Sequence, residues 1–173
     1  MRSFNTSWLQ ELVWPRMAAT LVLGLLSVAA LTGRSEASGG TLAVIVHENS
    51  PVTSLTVAEF RKVLLGETSE WPDGKRVVLV ERDQTSGALR TTLRLICKMT
   101  PLEYKRHLLA IEFQGGRVPL EKILNSDEAA AKFVRSVPGA IGVVENSSLA
   151  AVQHVKVVRL GGKLPGEPGY FLQ

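Results

Sequence analysis

Residues 76–95, with the sequence RVVLVERDQTSGALRTTLRL, decide which fold this chain can adopt. The short β-branched run 77–80 predicts a buried strand, and the apolar residues after the polar turn recur at the spacing of a helix. A strand-to-helix turn directs the N–H groups of the first helical turn, and the positive end of the helix dipole, to one spot. This turn therefore favours an anion, and Arg82, Thr85 and Ser86 supply a guanidinium and two hydroxyls for it.

The flanking sequence predicts alternating strands and helices. Further strands are predicted at residues 41–46, 140–144 and 155–160, helices after the caps Thr56, Thr100 and Ser126, and a short helix at residues 118–124. We expect 41–46 to lie centrally in the sheet. The alternation predicts an α/β fold with a mainly parallel sheet and helices on both of its faces.

Two of the predicted helices begin with a capping box. Thr56 precedes Glu59 by three residues, and Thr100 precedes Glu103 in the same way, with Pro101 at the first helical position. The first of these helices is predicted to bury Phe60, Val63 and Leu64 and to end before Gly66, which favours a left-handed stop.

The N-terminal segment has the layout of a signal peptide. Arg2 and Arg16 precede the uncharged run 17–33, and small residues at Ser35 and Ala37 predict cleavage after Ala37. The alternative is a retained membrane anchor, because the run approaches the ~17–25 residues that a spanning helix needs. We expect one domain over residues 38–160, followed by a flexible tail, 161–173, rich in glycine and proline.

Composition limits the classes of function. The chain has 173 residues, 45% of them hydrophobic and 21% charged, so it can bury one core. Its net charge of +4 is scattered along the sequence, which argues against a nucleic-acid-binding face and is compatible with a small oxyanion.

The single cysteine, Cys97, excludes an internal disulfide and is predicted to be buried. Trp71 is predicted to pack over the core.

The sequence favours a protein that is not an enzyme. It contains no Ser-His-Asp or Cys-His arrangement in a catalytic context, and its glycine-bearing turn lacks the lysine of a nucleotide-binding loop. Three histidines and one cysteine form no metal-ligand spacing, so we expect no metal and no cofactor.

Four segments in order resemble a known family. They are a strand, then LTVAEFRKVLLGETSEW at 55–71, VVLVERDQTSGA at 77–88, which opens a helix, and VPGAIGVVENSSL at 137–149. Together they resemble the phosphate-type periplasmic substrate-binding proteins of ABC transporters, within the type II periplasmic binding protein-like superfamily. The resemblance implies a binding-protein-like lobe, a periplasmic location and phosphate or a similar oxyanion as ligand. An ABC permease or another envelope protein is the implied partner.

The resemblance also implies which residues contact the ligand. In that family the turn consists of an arginine, three intervening residues and then Ser-Gly-Thr. This turn binds one side of the phosphate. Arg82, Ser86 and Gly87 match, whereas Ala88 replaces the threonine, so one hydroxyl donor is missing. With Thr85 inside the turn, the implied ligand-binding set is Arg82, Thr85, Ser86, Gly87 and Ala88.

Two alternatives stand beside this interpretation. Arg82 at the end of its strand could instead form a salt bridge with Asp83 or another carboxylate. Members of the family are two-lobed, and little sequence precedes the first strand here, which implies a single lobe and weak binding. The chain could then be a degenerate binding-protein fold that acts as a cell-envelope interaction or accessory protein without binding phosphate.

Overall fold

The fold is built on a five-stranded sheet with the order β4-β3-β5-β1-β6. The computed structural model describes residues 40–83, 86–116 and 118–173, so the predicted signal peptide and Thr85 lie outside the described residues. The strands are β1 Leu42–His47, β2 Ser54–Leu55, β3 Val78–Arg82, β4 Leu120–Leu124, β5 Ala140–Glu145, β6 Val155–Val157 and β7 Arg159–Leu160.

Four of the five strands run in the same direction. β3 pairs in parallel with both β4 and β5, whereas β1 lies antiparallel between β5 and β6. β2 and β7 form a separate parallel ladder. The predicted α/β class with a mainly parallel sheet is confirmed, and the first strand lies inside the sheet as expected.

Helices cover both faces of the sheet. They are α1 Val57–Leu64, α2 Gly87–Thr92, which continues into a π-helical segment Leu93–Cys97, α3 Pro101–Phe113 and α4 Asp127–Ser136, and a 3₁₀ helix spans Asn146–Ala151. One face of the sheet packs against α1, α2 and the π-helical segment in the larger core. The other face packs against α4, whose Ala130, Ala131 and Val134 are buried beside Ile45 and Val80.

The predicted helix caps are confirmed. The Thr56 hydroxyl accepts from the Glu59 N–H at 3.1 Å, and the Glu59 carboxylate accepts from the Thr56 N–H at 2.7 Å. Thr100 and Glu103 form the second capping box, and Ser126 caps α4. Gly66 follows α1 with φ of +77°, the left-handed stop that the sequence predicts.

Residues 118–124 were predicted as a short helix, and this prediction is wrong. They contain β4, which pairs along its length with β3. β4 is an edge strand whose residues are mostly exposed, so its sequence lacks the alternation of a half-buried strand. The apolar positions Leu120, Ile123 and Leu124 match helical spacing by coincidence.

The predicted loose tail packs onto the core. Tyr170 and Leu172 are buried, and the carbonyl of Leu172 accepts from the N–H of Leu42 at 2.8 Å. The free energy gained by burying these two large side chains holds the segment in place despite the conformational flexibility of its glycine residues. Residues 161–173 therefore belong to the folded domain.

Trp71 and Cys97 pack as predicted. Trp71 is 6% exposed, and its indole N–H donates to the carbonyl of Gly139 at 2.8 Å. Cys97 is buried, and burial raises the pKa of its thiol to about 11. A thiol held neutral in this way is a packing residue.

Helix α3 has a weakly buried apolar side. Of its large side chains, Tyr104 is buried, Leu108 and Ile111 are half-buried, and Leu109 is 42% exposed. Leu102 and Phe113 are more exposed still. Within the part of the chain that the structure describes, none of the helices has the length and apolar character needed to cross a bilayer.

Candidate functional site

The candidate site lies where β3, β4 and β5 end. These three neighbouring strands are parallel, so their carboxyl ends meet at one edge of the sheet. Arg82 ends β3, opposite Leu124 at the end of β4, and Glu145 ends β5. The residues that follow each strand therefore come together at this edge.

The turn after β3 has the predicted strand-turn-helix form. Ser86 is the N-cap of α2, and its hydroxyl accepts from the Ala88 N–H at 3.2 Å. The Ser86 N–H donates to the carbonyl and the carboxylate of Asp83, at 2.9 and 3.1 Å. Ser86, Gly87 and Ala88 thus begin the helix together at the carboxyl edge of the sheet.

The guanidinium of Arg82 is engaged by the protein itself. Its Nη1 forms an ion pair with Oδ1 of Asp127, and its Nη2 donates to the carbonyl of Asn125 at 3.1 Å. The Arg82 side chain is 20% exposed. Both partners follow β4, so the arginine joins the ends of two adjacent strands.

The carboxylate of Asp127 is bound on both of its oxygens. Oδ1 pairs with Arg82, and Oδ2 accepts from the Glu145 N–H at 3.0 Å and from the Ser148 hydroxyl at 2.8 Å. Asp127 is the first residue of α4, where the helix dipole stabilises a negative charge. A guanidinium, an amide and a hydroxyl therefore surround one carboxylate.

A small cavity lies beside Arg82. Its volume is about 20 Å³, and its lining includes Glu81, Arg82 and Thr92. Oε1 of Glu81, Nε of Arg82 and Oγ1 of Thr92 are buried and have no hydrogen-bond partner among the described residues. Such a volume is enough for about one water molecule.

Glu81 carries the perturbed carboxyl of this region. It is 8% exposed, and burial raises its pKa to about 7, with a further rise from the neighbouring carboxylate of Glu121. Because Glu81 and Arg82 are consecutive on β3, their side chains lie on opposite faces of the sheet. Glu81 therefore belongs to the core that α1 and α2 cover.

Four of the five predicted site residues lie in the part of the chain that the structure describes. Arg82 lies at the end of β3, and Ser86, Gly87 and Ala88 lie at the start of α2, whereas Thr85 is outside the described residues. Of the two interpretations of Arg82, the observed contact is the salt bridge with another carboxylate.

The sequence interpretation missed Asp127, Glu145 and Ser148. A strand assignment for residues 120–124 would have pointed to Asp127. These residues pair in parallel with β3, which places Asp127 just beyond the end of the neighbouring strand. Because residues 118–124 were interpreted as a helix, this adjacency was hidden.

A second concavity lies at the opposite edge of the sheet. This amino-edge cleft of about 210 Å³ is lined by groups that include His47, Trp71, Asp73 and Lys75. Asp73 and Lys75 form an ion pair there at 2.5 Å. Among residues 40–83, 86–116 and 118–173, no group of three or more His, Cys, Asp and Glu side chains is placed to hold a metal ion.

Comparisons with known proteins connect this fold with phosphate-binding proteins. PstS from Borrelia burgdorferi matches at a TM-score of 0.63 and 15% identity, over 77% of this chain and 54% of its own. An ABC-type phosphate transport receptor from Vibrio cholerae matches with a TM-score of 0.57 and 18% identity, and the match covers 73% of this chain and 48% of the receptor. A third match is a protein from Clostridium perfringens that is assigned as a phosphate ABC transporter substrate-binding protein and was solved with bound phosphate. Its TM-score is 0.59 and its identity 20%, and the match covers 73% of this chain and 47% of that protein.

These likenesses are at the level of the fold. The chain spans about half the length of the proteins that it matches. No protein-family model matches the sequence, and no curated protein matches it. The chain therefore has the fold of part of a phosphate-type solute-binding protein.

Proposed function

We propose that the chain is an exported binding-protein-like domain that recognises phosphate or a similar small oxyanion, in connection with ABC-type phosphate uptake. The observation that carries the proposal is the position of Arg82 and the Ser86 turn at the carboxyl edge of the sheet, in a fold shared with phosphate-binding proteins. Ligands of open α/β sheets bind at this edge. Export would use the predicted signal peptide, residues 1–37.

The proposed ligand contacts follow from the chemistry of the turn. An arginine and an oxyanion form strong charge-assisted hydrogen bonds, and the N–H groups at the start of α2 add dipoles of the right sign. The helix start is supplied by Ser86, Gly87 and Ala88, and a further hydroxyl within the turn by Thr85. Nothing in this chemistry separates phosphate from other small oxyanions.

Binding by the single chain is expected to be weak. An oxyanion that stays in contact with water when bound gains little from the arginine, because exposed charge pairs contribute only ~0–1 kcal/mol each. Submicromolar affinity of the isolated chain for phosphate would contradict this expectation.

Thermal unfolding tests the proposal. The melting temperature of the purified protein should rise in millimolar phosphate, because a ligand that binds only the folded state stabilises it by mass action. The rise should vanish in Arg82→Ala and persist in Arg90→Ala, which removes an exposed arginine from α2 at the same cost in charge. Sulfate and chloride at equal ionic strength separate oxyanion binding from salt effects, and equal shifts in all three salts would refute the proposal.

Two observations favour a second candidate, an envelope interaction or accessory protein that does not bind phosphate. Arg82 already has protein partners, and five large apolar side chains are exposed on α3 and β4, namely Leu102, Leu109, Phe113, Leu120 and Ile123. Exposed apolar residues of this size are typical of protein contacts when they are contiguous. The absence of any phosphate-dependent shift would favour this candidate.

A further inference from the structure

Asp127 occupies a complete set of anion-binding donors. Its two carboxylate oxygens are bound by the guanidinium of Arg82, the Glu145 N–H and the Ser148 hydroxyl, groups that come from β3, β5 and the 3₁₀ helix. The side chain is only 11% exposed. A charged fork together with neutral N–H and O–H donors is the kind of set that binds a free carboxylate or phosphate.

We propose that Asp127 is an internal ligand of this site, and that an oxyanion from solution binds to Arg82 only when the Asp127 carboxylate leaves it. The inference rests on the proposed function for the assignment of the Arg82 edge to oxyanions. It adds the reason why the affinity of the chain for them is low: the chain itself carries the competing anion.

Tethering makes Asp127 an effective competitor. A group held on the same fold has an effective concentration in the millimolar range or above, so it competes without any dilution. When only a fraction of the molecules have the site open, the apparent affinity for an external ligand falls by that fraction.

The surroundings of the ion pair agree with an occupied site. The Arg82 side chain is 20% exposed and the Asp127 side chain is 11% exposed, and Nη1 of Arg82 is already paired with Asp127, so an oxyanion would have to displace the carboxylate to reach that donor. Removal of the Asp127 side chain would release the Arg82 Nη1 donor and both donors on Oδ2 at once.

A purely structural ion pair leads to a different expectation. In that case Asp127 only fastens α4 to the end of β3, and its removal lowers stability without creating affinity for anions. The two interpretations therefore differ in binding and not in stability, so binding is the quantity to measure.

Calorimetric titration of the purified protein with inorganic phosphate, and separately with acetate, provides the test. Asp127→Ala should bind at least one of these anions ~10-fold more tightly than the unaltered chain, because the competitor is gone. Asp127→Asn keeps the size of the side chain and should show a smaller gain in the same direction, since a neutral amide competes less well for Arg82. The double variant Arg82→Ala, Asp127→Ala should lose the gain.

Asp73→Asn is the matched control. It also removes one acidic charge and one ion pair, with Lys75, but at the amino-edge cleft. Its affinity for both anions should equal that of the unaltered chain. If Asp73→Asn gains as much as the Asp127 variants, the effect is net charge and the inference is wrong.

The remaining outcomes separate this inference from the proposed function. Equal, measurable phosphate affinity in the unaltered chain and both Asp127 variants overturns the inference and leaves the proposed function standing. A gain in the variants with no detectable binding by the unaltered chain supports the inference and contradicts the proposed function. No binding of either anion by any variant overturns the inference. Should Asp127→Ala be too unstable to titrate, Asp127→Asn alone decides.

Discussion

Glu81 is a buried carboxyl at a position where the sequence suggests an exposed one. It reads as the polar end of a strand, yet it is 8% exposed with a pKa raised to about 7 by burial and by Glu121. A carboxyl whose folded-state pKa exceeds its unfolded value of 4.5 favours folding when protonated. Stability from this group is therefore present below pH 4.5 and is lost as the pH rises through 7.

Replacement of Glu81 with Gln should flatten this part of the pH dependence. Between pH 5 and pH 8, we expect the difference in unfolding free energy between Glu81→Gln and the unaltered chain to grow by about 2–3 kcal/mol in favour of the variant. Urea unfolding across this range measures it. Glu128→Gln, which removes an exposed carboxylate from α4, should leave the slope unchanged, and an unchanged slope in Glu81→Gln would refute the assignment.

Gly139 is required by its surroundings. Its φ is +97°, and a Cβ added there would lie 2.3 Å from the carbonyl oxygen of Arg76. The Gly139 carbonyl also accepts the indole N–H of Trp71. The positive φ is strained for any residue with a side chain, and the backbone carbonyl of Arg76 cannot move aside as a flexible side chain could. Both effects make a side chain at position 139 unfavourable.

Gly139→Ala should therefore destabilise the fold by more than ~3 kcal/mol, while Gly74→Ala should cost only ~1 kcal/mol. Gly74 has a similar φ of +79°, but a Cβ there meets nothing within 4 Å, so it isolates the strain from the clash. Denaturant midpoints compare the two. Equal losses would show that the clash with Arg76 is relieved without cost.

The helices and their ends follow from the sequence wherever residues close in sequence decide the structure. The capping boxes at Thr56 and Thr100, the cap at Ser126 and the stop at Gly66 all depend on neighbours within a few residues, and all are confirmed. The sequence does not predict β4, because this mostly exposed edge strand is defined by its pairing with β3, where Val78 and Leu120 are 42 residues apart.

That single error also explains how far the site could be predicted. The turn at Ser86 was recognisable because a strand and a helix flank it in sequence. Asp127 was not, because its proximity to Arg82 depends on the β3–β4 pairing. Glu145 contributes only its backbone N–H, which carries no side-chain signal.

The two capping boxes should differ in their effect on stability. Thr56→Ala should lower global stability by ~1 kcal/mol, because α1 buries Phe60, Val63 and Leu64 in the larger core. Thr100→Ala should instead speed hydrogen exchange within α3 and cost less globally, since Tyr104 is the only fully buried residue of that helix. Exchange measured by mass spectrometry, beside urea unfolding, checks both. Equal global losses would show that α3 unfolds only with the whole domain.

The fold of the described domain is similar to about half of each phosphate-binding protein that it matches. The two ends of its sheet differ. The carboxyl edge carries the Ser86 turn with Arg82 and Asp127, and the amino edge carries the cleft lined by His47 and Lys75. We propose that the carboxyl edge is the one that recognises an oxyanion.

The most direct measurement of that claim is a phosphate titration of the ¹⁵N-labelled protein followed by NMR. We predict saturable shifts of the Ser86, Gly87 and Ala88 amides, with a dissociation constant weaker than ~1 μM, an affinity of about −8 kcal/mol. Sulfate in a parallel titration measures the selectivity of the turn. Saturable shifts confined to the amino-edge cleft, or no saturable shift at the turn, would contradict the account.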